Sequence, residues 1–357
     1  MATPRPDRAV TMRDVALAAG VSQATVSNAY TGSGRLSPDR REHVLAVARE
    51  LGYPGPSGAG RSLRTGSTGA VGVMVTDALT FALEDAAAVE LLRGIAAVGE
   101  AREVALTLLP FPVGADEAAA AAASTRRGVV DGFLVFSMPD RHPAVEAALA
   151  RREPLVLIDG PRLDGVPLVG IDDAGAAREA ATAVLDGGRR RVAVLVDRLS
   201  PDGRAGVADA ARLREARDQA ARERVAGYLA ACEAVGAEAT VIEAGAFSPP
   251  AFRAVTAAAL ALDGLDAIFA ATDAVALAAL AELDARGIDV PGQIAVLGFD
   301  GTAEAARVGL STVDQSLVEK GSQAMRMLLA AIDRTEPESV LLSTRLQLRR
   351  TTAPGFG

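Results

Sequence analysis

From residue 69 onward the chain alternates short apolar runs with amphipathic stretches, and before that point it does not. The apolar runs cover residues 70–75, 104–109, 132–136, 155–158, 169–171, 192–196, 240–243, 267–271 and 295–298. They are apolar at successive rather than alternate positions, which predicts strands buried on both faces, as in a parallel sheet. Between them, residues 84–101, 117–127, 143–150, 175–185, 250–260 and 274–286 place apolar side chains at helical spacing, and residues 207–235 read as one long helical stretch. Such alternation predicts parallel sheets with helices on both faces. The length suits two lobes, with a ligand cleft between them at the carboxyl ends of the strands.

Residues 10–52 follow a different pattern. Thr11 stands where an N-cap belongs, and Asp14 completes a capping box. Val15, Ala18 and Ala19 then form one apolar face, and Gly20 ends the helix in the manner of a C′ glycine. Val21 is the buried link, and Ser22 caps a second helix in which Val26 points inward. The i,i+4 pairs Gln23/Ser27 and Ala24/Asn28 share its polar face. Ser37-Pro38-Asp39 starts a third helix with the stripe Val44, Leu45, Ala48 and Leu51, closed by Gly52. This is the pattern of a helix-turn-helix whose second helix can enter a major groove. Two amphipathic helices joined at a glycine also occur without any DNA role, so the pattern alone does not decide.

More specific is the residue text itself. T-M-R-D-V-A-x-x-A-G-V-S-x-x-T-V-S-N runs from Thr11 to Asn28, followed by L-S-P-x-x-R-x-x-V from Leu36 to Val44 and L-G-Y from Leu51 to Tyr53. It resembles the lactose/galactose repressor (LacI/GalR) family of bacterial transcription factors. Further matches are V-x-I-D-D at 169–173, R-x-x-G-Y at 224–228, T-D at 272–273, I-A-V-L-G-F-D at 294–300, L-S-T-V-D-Q at 310–315 and R-R-T-T-A-P at 349–354. The resemblance covers about residues 10 to 354. It implies an all-α three-helix DNA-binding head and an α/β, two-lobed, periplasmic-binding-protein-like core with doubly wound parallel sheets. The expected division is an arm at 1–9, a head at 10–55 and a hinge at 56–68. The first lobe would then hold 69–171 and 316–338, and the second 172–315 and 339–357.

In that family the two residues after the turn, here Gln23 and Ala24, dominate operator choice. Gln23 and Asn28 can pair in bidentate fashion with adenine, while Ala24 can meet a thymine methyl. Ser22, Thr25 and Ser27 suit phosphate oxygens at a helix N-terminus, and Thr11 completes the DNA-facing set. The family's hinge becomes a helix on DNA and wedges a leucine into the minor groove. Arg61-Ser62-Leu63-Arg64 resembles that helix's end, with Leu63 as the wedge between Arg61 and Arg64. Two departures stand out: an extra residue after Tyr53, and Gly58 and Gly60 inside the would-be helix. Each glycine costs about 1 kcal/mol relative to alanine, so this hinge is expected to be costly to order, and a plain tether is the alternative.

Charge changes the picture only when the chain is divided. The net charge of −8 argues against a nucleic-acid partner, yet residues 1–68 carry nine arginines against five acids, leaving −12 on the rest. A basic head on an acidic body is expected where one end meets phosphates. A single cysteine, Cys232, cannot form an internal disulfide, and neither a signal-peptide h-region nor a membrane-length apolar run occurs. A cytoplasmic protein is expected. Lys320 is the only lysine, which with so much Ala, Gly and Val reads as a GC-rich genome.

Carrying the family's cleft positions over gives Asp159, Arg224, Asp273 and Gln315, with Phe81 in the loop after the first strand as a stacking candidate. An arginine flanked by carboxylates suits a polyhydroxylated, sugar-like effector, although Arg224 could equally hold a purine's acceptors or an anion. Asp273 could instead cap the following helix, and Asp159 could begin a turn before Gly160-Pro161. Residues 197–223 are longer than the family normally has here, and their charge predicts an exposed helical turn or two, as a lid or as a solvated surface helix. Catalysis is not expected: His43 and His142 lack partners at motif spacing, and no metal-ligand cluster, P-loop or G-x-S-x-G elbow occurs. No cofactor or metal is expected either. With the chain stopping after R-R-T-T-A-P, a homodimer is expected, acting as a repressor on a pseudo-palindromic DNA operator. A solute-binding protein would need a secretion signal and no basic head, and a sugar-modifying enzyme would need an acid/base pair in the cleft.

Overall fold

The computed structural model describes residues 10–31, 36–55, 67–76, 83–111 and 115–352. The chain divides into two compact units, Met1–Thr68 and Gly69–Gly357. In the first, α1 (Met12–Ala18), α2 (Gln23–Thr31) and α3 (Pro38–Glu50) enclose a core of Val15, Ala16, Ala19, Val26, Ala29, Val44 and Ala48. The Thr11–Asp14 capping box is present in both directions. Gly20 adopts φ +66° at the turn, a conformation that L side chains rarely take. Two expectations change. Ala18 is exposed and Ala16 replaces it on the inner face, because positions 15, 16 and 19 converge on α2 and α3. Ser27 is buried beside Val26 rather than standing on the polar face. Ser37 caps α3, and Arg41 Nε donates to the Ala29 carbonyl at 2.9 Å, satisfying the end of α2.

The second unit holds two sheets. The first contains β1 (Ala70–Thr76), β2 (Ala105–Phe111), β3 (Phe133–Phe136), β4 (Leu155–Ile158), β5 (Leu168–Gly170) and β12 (Val340–Leu341), in the order 12-5-4-3-1-2. All its pairings are parallel. The other contains β6 (Arg191–Val196), β7 (Gly206–Val207), β8 (Glu238–Glu243), β9 (Ala267–Ala270), β10 (Ala295–Asp300), β11 (Ser311–Asp314) and β13 (Arg345–Gln347). Its order is 13-11-10-9-6-8-7, and only the edge strands β7 and β13 run antiparallel to their neighbours. The central strands are buried along their length, as their unbroken apolar runs require.

Helices cover the sheets: α4 (Ala86–Ala101), α5 (Ala115–Arg127), α6 (Pro143–Arg151), α7 (Asp173–Leu185), α8 (Ala210–Arg214), α9 (Gln219–Ala234), α10 (Pro249–Ala259), α11 (Asp273–Ala285), α12 (Ala303–Val308) and α13 (Leu317–Ile332). The stretch 207–235 is therefore not one helix. Asp209 and Asp218 accept the Arg212 and Ala221 backbone N–H groups, so each starts a new helix, and Gly206–Val207 pairs with β8 instead. Between the lobes the chain crosses after β5, after β11 and after β12. The last crossing falls beyond Leu342 rather than at 338/339, because Val340 and Leu341 pair with Val169 and Gly170.

Candidate functional site

The carboxyl ends of the strands from both sheets converge on one cleft, with a cavity of about 110 Å³. The first lobe contributes Thr76 at the end of β1, Ser137 after β3, Asp159 after β4, and Asp85 at the start of α4. From the second come Asp197 after β6, Thr272 after β9, Asp300 at the end of β10, and Arg224 on α9. This is where a doubly wound fold leaves backbone and side chains unused by the sheet. Asp159, Ser137 and Asp300 hold φ of +63°, +47° and +130°, left-handed values that cost non-glycine residues about 1–3 kcal/mol each. Such strain gathers where side-chain placement matters more than stability.

A chain of hydrogen bonds runs through the cleft from lobe to lobe. Arg224 Nε donates to Asp173 Oδ1 at 2.8 Å, and its Nη1 donates to the Ala271 carbonyl at 2.8 Å and to Asp300 Oδ1 at 3.2 Å. Its guanidinium lies 4.0 Å over the Phe299 ring. Gln315, on the second crossing, donates from Nε2 to Asp300 Oδ1 at 2.7 Å and accepts from Lys320. Lys320 in turn donates to Asp159 Oδ1 at 2.6 Å. Carboxylates outnumber cations along the lining: Asp85, Asp159, Asp197, Asp218 and Asp300 face Arg198 and Arg224. Burial pushes Asp85 up to about 6 and Asp197 to about 7, and holds Asp300 well above the usual carboxylate range. Burial opposes the charge on Arg224, but Asp173 and Asp300 outweigh it and raise its pKa. Ionised carboxylates accept hydrogen bonds and carboxyls that burial keeps protonated also donate them, so the lining can do both toward a ligand.

The segment 197–218 carries the expected exposed helical turn, α8, in which only Arg212 is buried, but its two ends form part of this wall. Asp197, Arg198 and Asp218 are buried and line the cleft. Arg212 anchors the segment from behind, donating from Nε and Nη2 to the buried Glu243 at 2.8 and 2.7 Å and from Nη1 to Asp202 at 2.6 Å. Its C-terminal end and the start of α9 reach the first lobe: Arg217 Nε donates to the Asp140 carbonyl at 2.9 Å, and Arg222 Nη1 to Asp140 Oδ2 at 3.0 Å.

On the head, Ser22, Gln23 and Ala24 are exposed at the start of α2, with Thr25 and Asn28 half-buried behind them. Ser22 Oγ accepts the Thr25 N–H at 3.1 Å as an N-cap. Thr11 is held by its own capping box, donating from Oγ1 to Asp14 at 2.6 Å.

Residues 11–55 match the family model described as bacterial regulatory proteins, lacI family, and residues 181–352 match a periplasmic binding protein-like domain. The HTH-type transcriptional regulator Rv3575c of Mycobacterium tuberculosis is 40% identical over 360 residues, spanning 99% of each chain. The chain belongs to the LacI family. A crystal structure of a LacI-family transcriptional regulator from Corynebacterium glutamicum shares 30% identity, covering 96% of this chain and 98% of that one, with a TM-score of 0.76. A complex of the regulator CelR with cellobiose shares 27% identity, covering 96% of this chain and 99% of that one, with a TM-score of 0.66. This LacI-family chain is thus a DNA-binding transcriptional regulator with a helix-turn-helix head and a two-lobed core.

Within that frame the expected cleft residues separate. Asp159, Arg224 and Gln315 come together. Asp273 stands behind the wall instead: its carboxylate accepts from Thr302 N at 2.8 Å, Thr302 Oγ1 at 2.9 Å and Thr312 Oγ1 at 2.6 Å, bracing α11 against β11 and α12. Phe81, Arg61, Leu63 and Arg64 lie outside the described residues. Phe136 and Phe247 supply aromatic surface to the lining. Sequence reasoning missed Asp300, although it ends a strand like Asp159 and lies inside the quoted I-A-V-L-G-F-D. It also missed Asp85, Asp197, Arg198, Asp218 and Lys320.

Proposed function

We propose that this LacI-family regulator is a homodimeric repressor released from, or held on, a pseudo-palindromic operator by a polyhydroxylated effector, a sugar or related polyol. The observation that carries the effector class is the carboxylate excess around a committed arginine. Arg224 already donates to Asp173, Asp300 and Ala271, so it offers an anionic ligand little, whereas hydroxyl groups can donate to Asp159 and can also accept from carboxyls such as Asp197 whose proton burial helps retain. This disfavours the anion alternative. The cellobiose bound by CelR belongs to the favoured class.

On the DNA side, Gln23 and Ala24 read bases, Asn28 supports them, and Ser22 and Thr25 meet phosphates. Thr11 and Ser27 act through the fold of the head. Arg61, Leu63 and Arg64 are the hinge contacts. A regulator working on DNA in this way acts in the cytoplasm, without catalysis. Effector binding draws the lobes together and changes how readily two heads engage two half-sites, a coupling free energy between distinct sites.

The test is selection of bound duplexes from a random DNA pool at about 150 mM salt, where phosphate-only binding is penalised. A symmetric site is expected. Gln23→Ala should then weaken it by about 1–3 kcal/mol and relax choice at the base it reads, measured by competition between duplexes. Enrichment of no sequence, with and without added sugars, would sink the operator reading. A shift in affinity caused by organic phosphates but by no sugar or polyol would overturn the effector class.

A further inference from the structure

Lys320 is the only lysine in the 357 residues, and it is fully buried. It lies in the first turn of α13 among Leu317, Gly321, Ala324, Met325 and Leu328, all buried, so it occupies a core position on an otherwise apolar stripe. A methionine of similar length would fill that space without the cost of taking an ammonium out of water. What the ammonium adds is direction. Its Nζ donates to Asp159 Oδ1 at 2.6 Å and to the Gln315 side-chain oxygen. An amide has one oxygen and one NH2, so engaging the oxygen turns the NH2 the other way, where it donates to Asp300 Oδ1 at 2.7 Å.

We propose that Lys320 is a positioning residue of the effector cleft: by fixing Asp159 and the Gln315 amide, it sets which pattern of ligand hydroxyls the cleft accepts. The proposal rests on the reading of this cleft as a polyol effector site. Asp159 ends a strand of the first sheet, Asp300 ends one of the second, and Gln315 lies on the crossing between them. Lys320 therefore aligns acceptors of both lobes before a ligand enters. Without it, the Gln315 amide can rotate and Asp159 loses its charged partner, so the pattern offered to a ligand changes and not only the stability.

Because there is one lysine, labelling the full-length protein with lysine carrying nitrogen-15 at Nζ gives a single side-chain ammonium reporter. Cellobiose, glucose, galactose, glucosamine and ribitol are titrated by calorimetry, and the binders are followed in the ammonium spectrum. The expected result is a slowly exchanging signal that shifts as a binder saturates the cleft. Lys320→Met should weaken that binder at least tenfold and level the ranking across the panel. Lys320→Met with Asp159→Asn, which removes both charges, should recover melting temperature without recovering the ranking. Affinities within twofold of the unsubstituted protein in Lys320→Met, with the ranking unchanged, overturn the proposal and leave the effector reading standing. An ammonium signal indifferent to saturation overturns it as well, even where the variant fails to fold. Failure of every compound to bind the unsubstituted protein overturns the polyol reading and this proposal with it.

Discussion

Asp197 closes β6 at the cleft wall, and its position makes stability depend on pH. Burial lifts its carboxyl to about 7, more than the nearby Arg198 lowers it. An acid whose folded pKa lies above its unfolded value contributes most below the unfolded value, near 4, and that contribution is lost as pH rises through about 7. Asp197→Asn keeps the shape and removes the titration. It should melt with the unsubstituted protein near pH 4 and above it at pH 8, by on the order of 1–3 kcal/mol, as followed by circular dichroism. Equal melting at both pH values would show that the carboxyl finds water in the folded state. His142 runs the opposite way: burial, then Arg217 and Arg198, lower it to about 4, so its contribution is present above pH 6.5 and lost as pH falls. Some of this scale was legible in the sequence. Asp159, Arg224 and Gln315 could be named because they stand at positions matching the family's cleft, and the structure brings the three together. Lys320 could not be read from its neighbours in sequence, since what makes a core lysine tolerable is Asp159, 161 positions away.

The elements that decide the cleft are those held by buried charge or by close backbone approach. Arg212 holds the 197–218 wall to Glu243, and both side chains are almost wholly buried. Arg212→Ala leaves the Glu243 carboxylate without its main cation, which should cost about 3–5 kcal/mol and loosen β7 and α8 first. Hydrogen exchange at residues 199–216 would report it, and protection equal to the unsubstituted protein would refute the anchor. Across the first lobe, α4 and α13 touch backbone to backbone: a Cβ on Gly321 would lie 2.1 Å from the Leu91 carbonyl, and one on Gly94 2.0 Å from the Val318 carbonyl. Gly321→Ala should therefore destabilise the core by about 1–3 kcal/mol and displace Lys320 beside it, read as a lower melting temperature. Strand and helix alternation was legible up to residue 298 because each element buries a continuous stripe. The exposed turn within 197–218 was legible, but the burial of its ends and of Arg212 was not, because a charged sequence with two aspartate caps reads as solvated until Glu243 is known to face it. Nothing local to Arg212 announces that pairing.

At the scale of the molecule, the sequence announced two units through the change of pattern at residue 69, and the structure divides the chain at the same place. The units differ in how firmly they can be built. Among the described residues, the head's buried core is four alanines and three valines, with larger side chains such as Met12, Leu45 and Tyr53 only partly buried against it, while the body buries four apolar clusters. Burial stabilises by about 25 cal/mol per Å² of apolar area, so the head has little with which to offset its chain entropy, and a unit of this size is marginal. Calorimetry of the full chain should accordingly show two transitions, a weak one at lower temperature for the head and a larger one for the body. Residues 69–357 alone should keep the upper transition and lack the lower. Charge divides the same way, +4 against −12, so operator DNA should raise only the lower transition, and by less as salt increases and counterion release weakens. A single transition that survives deletion of the head unchanged, or an upper transition that operator DNA moves as far as the lower, would mean that the head borrows its stability from the body.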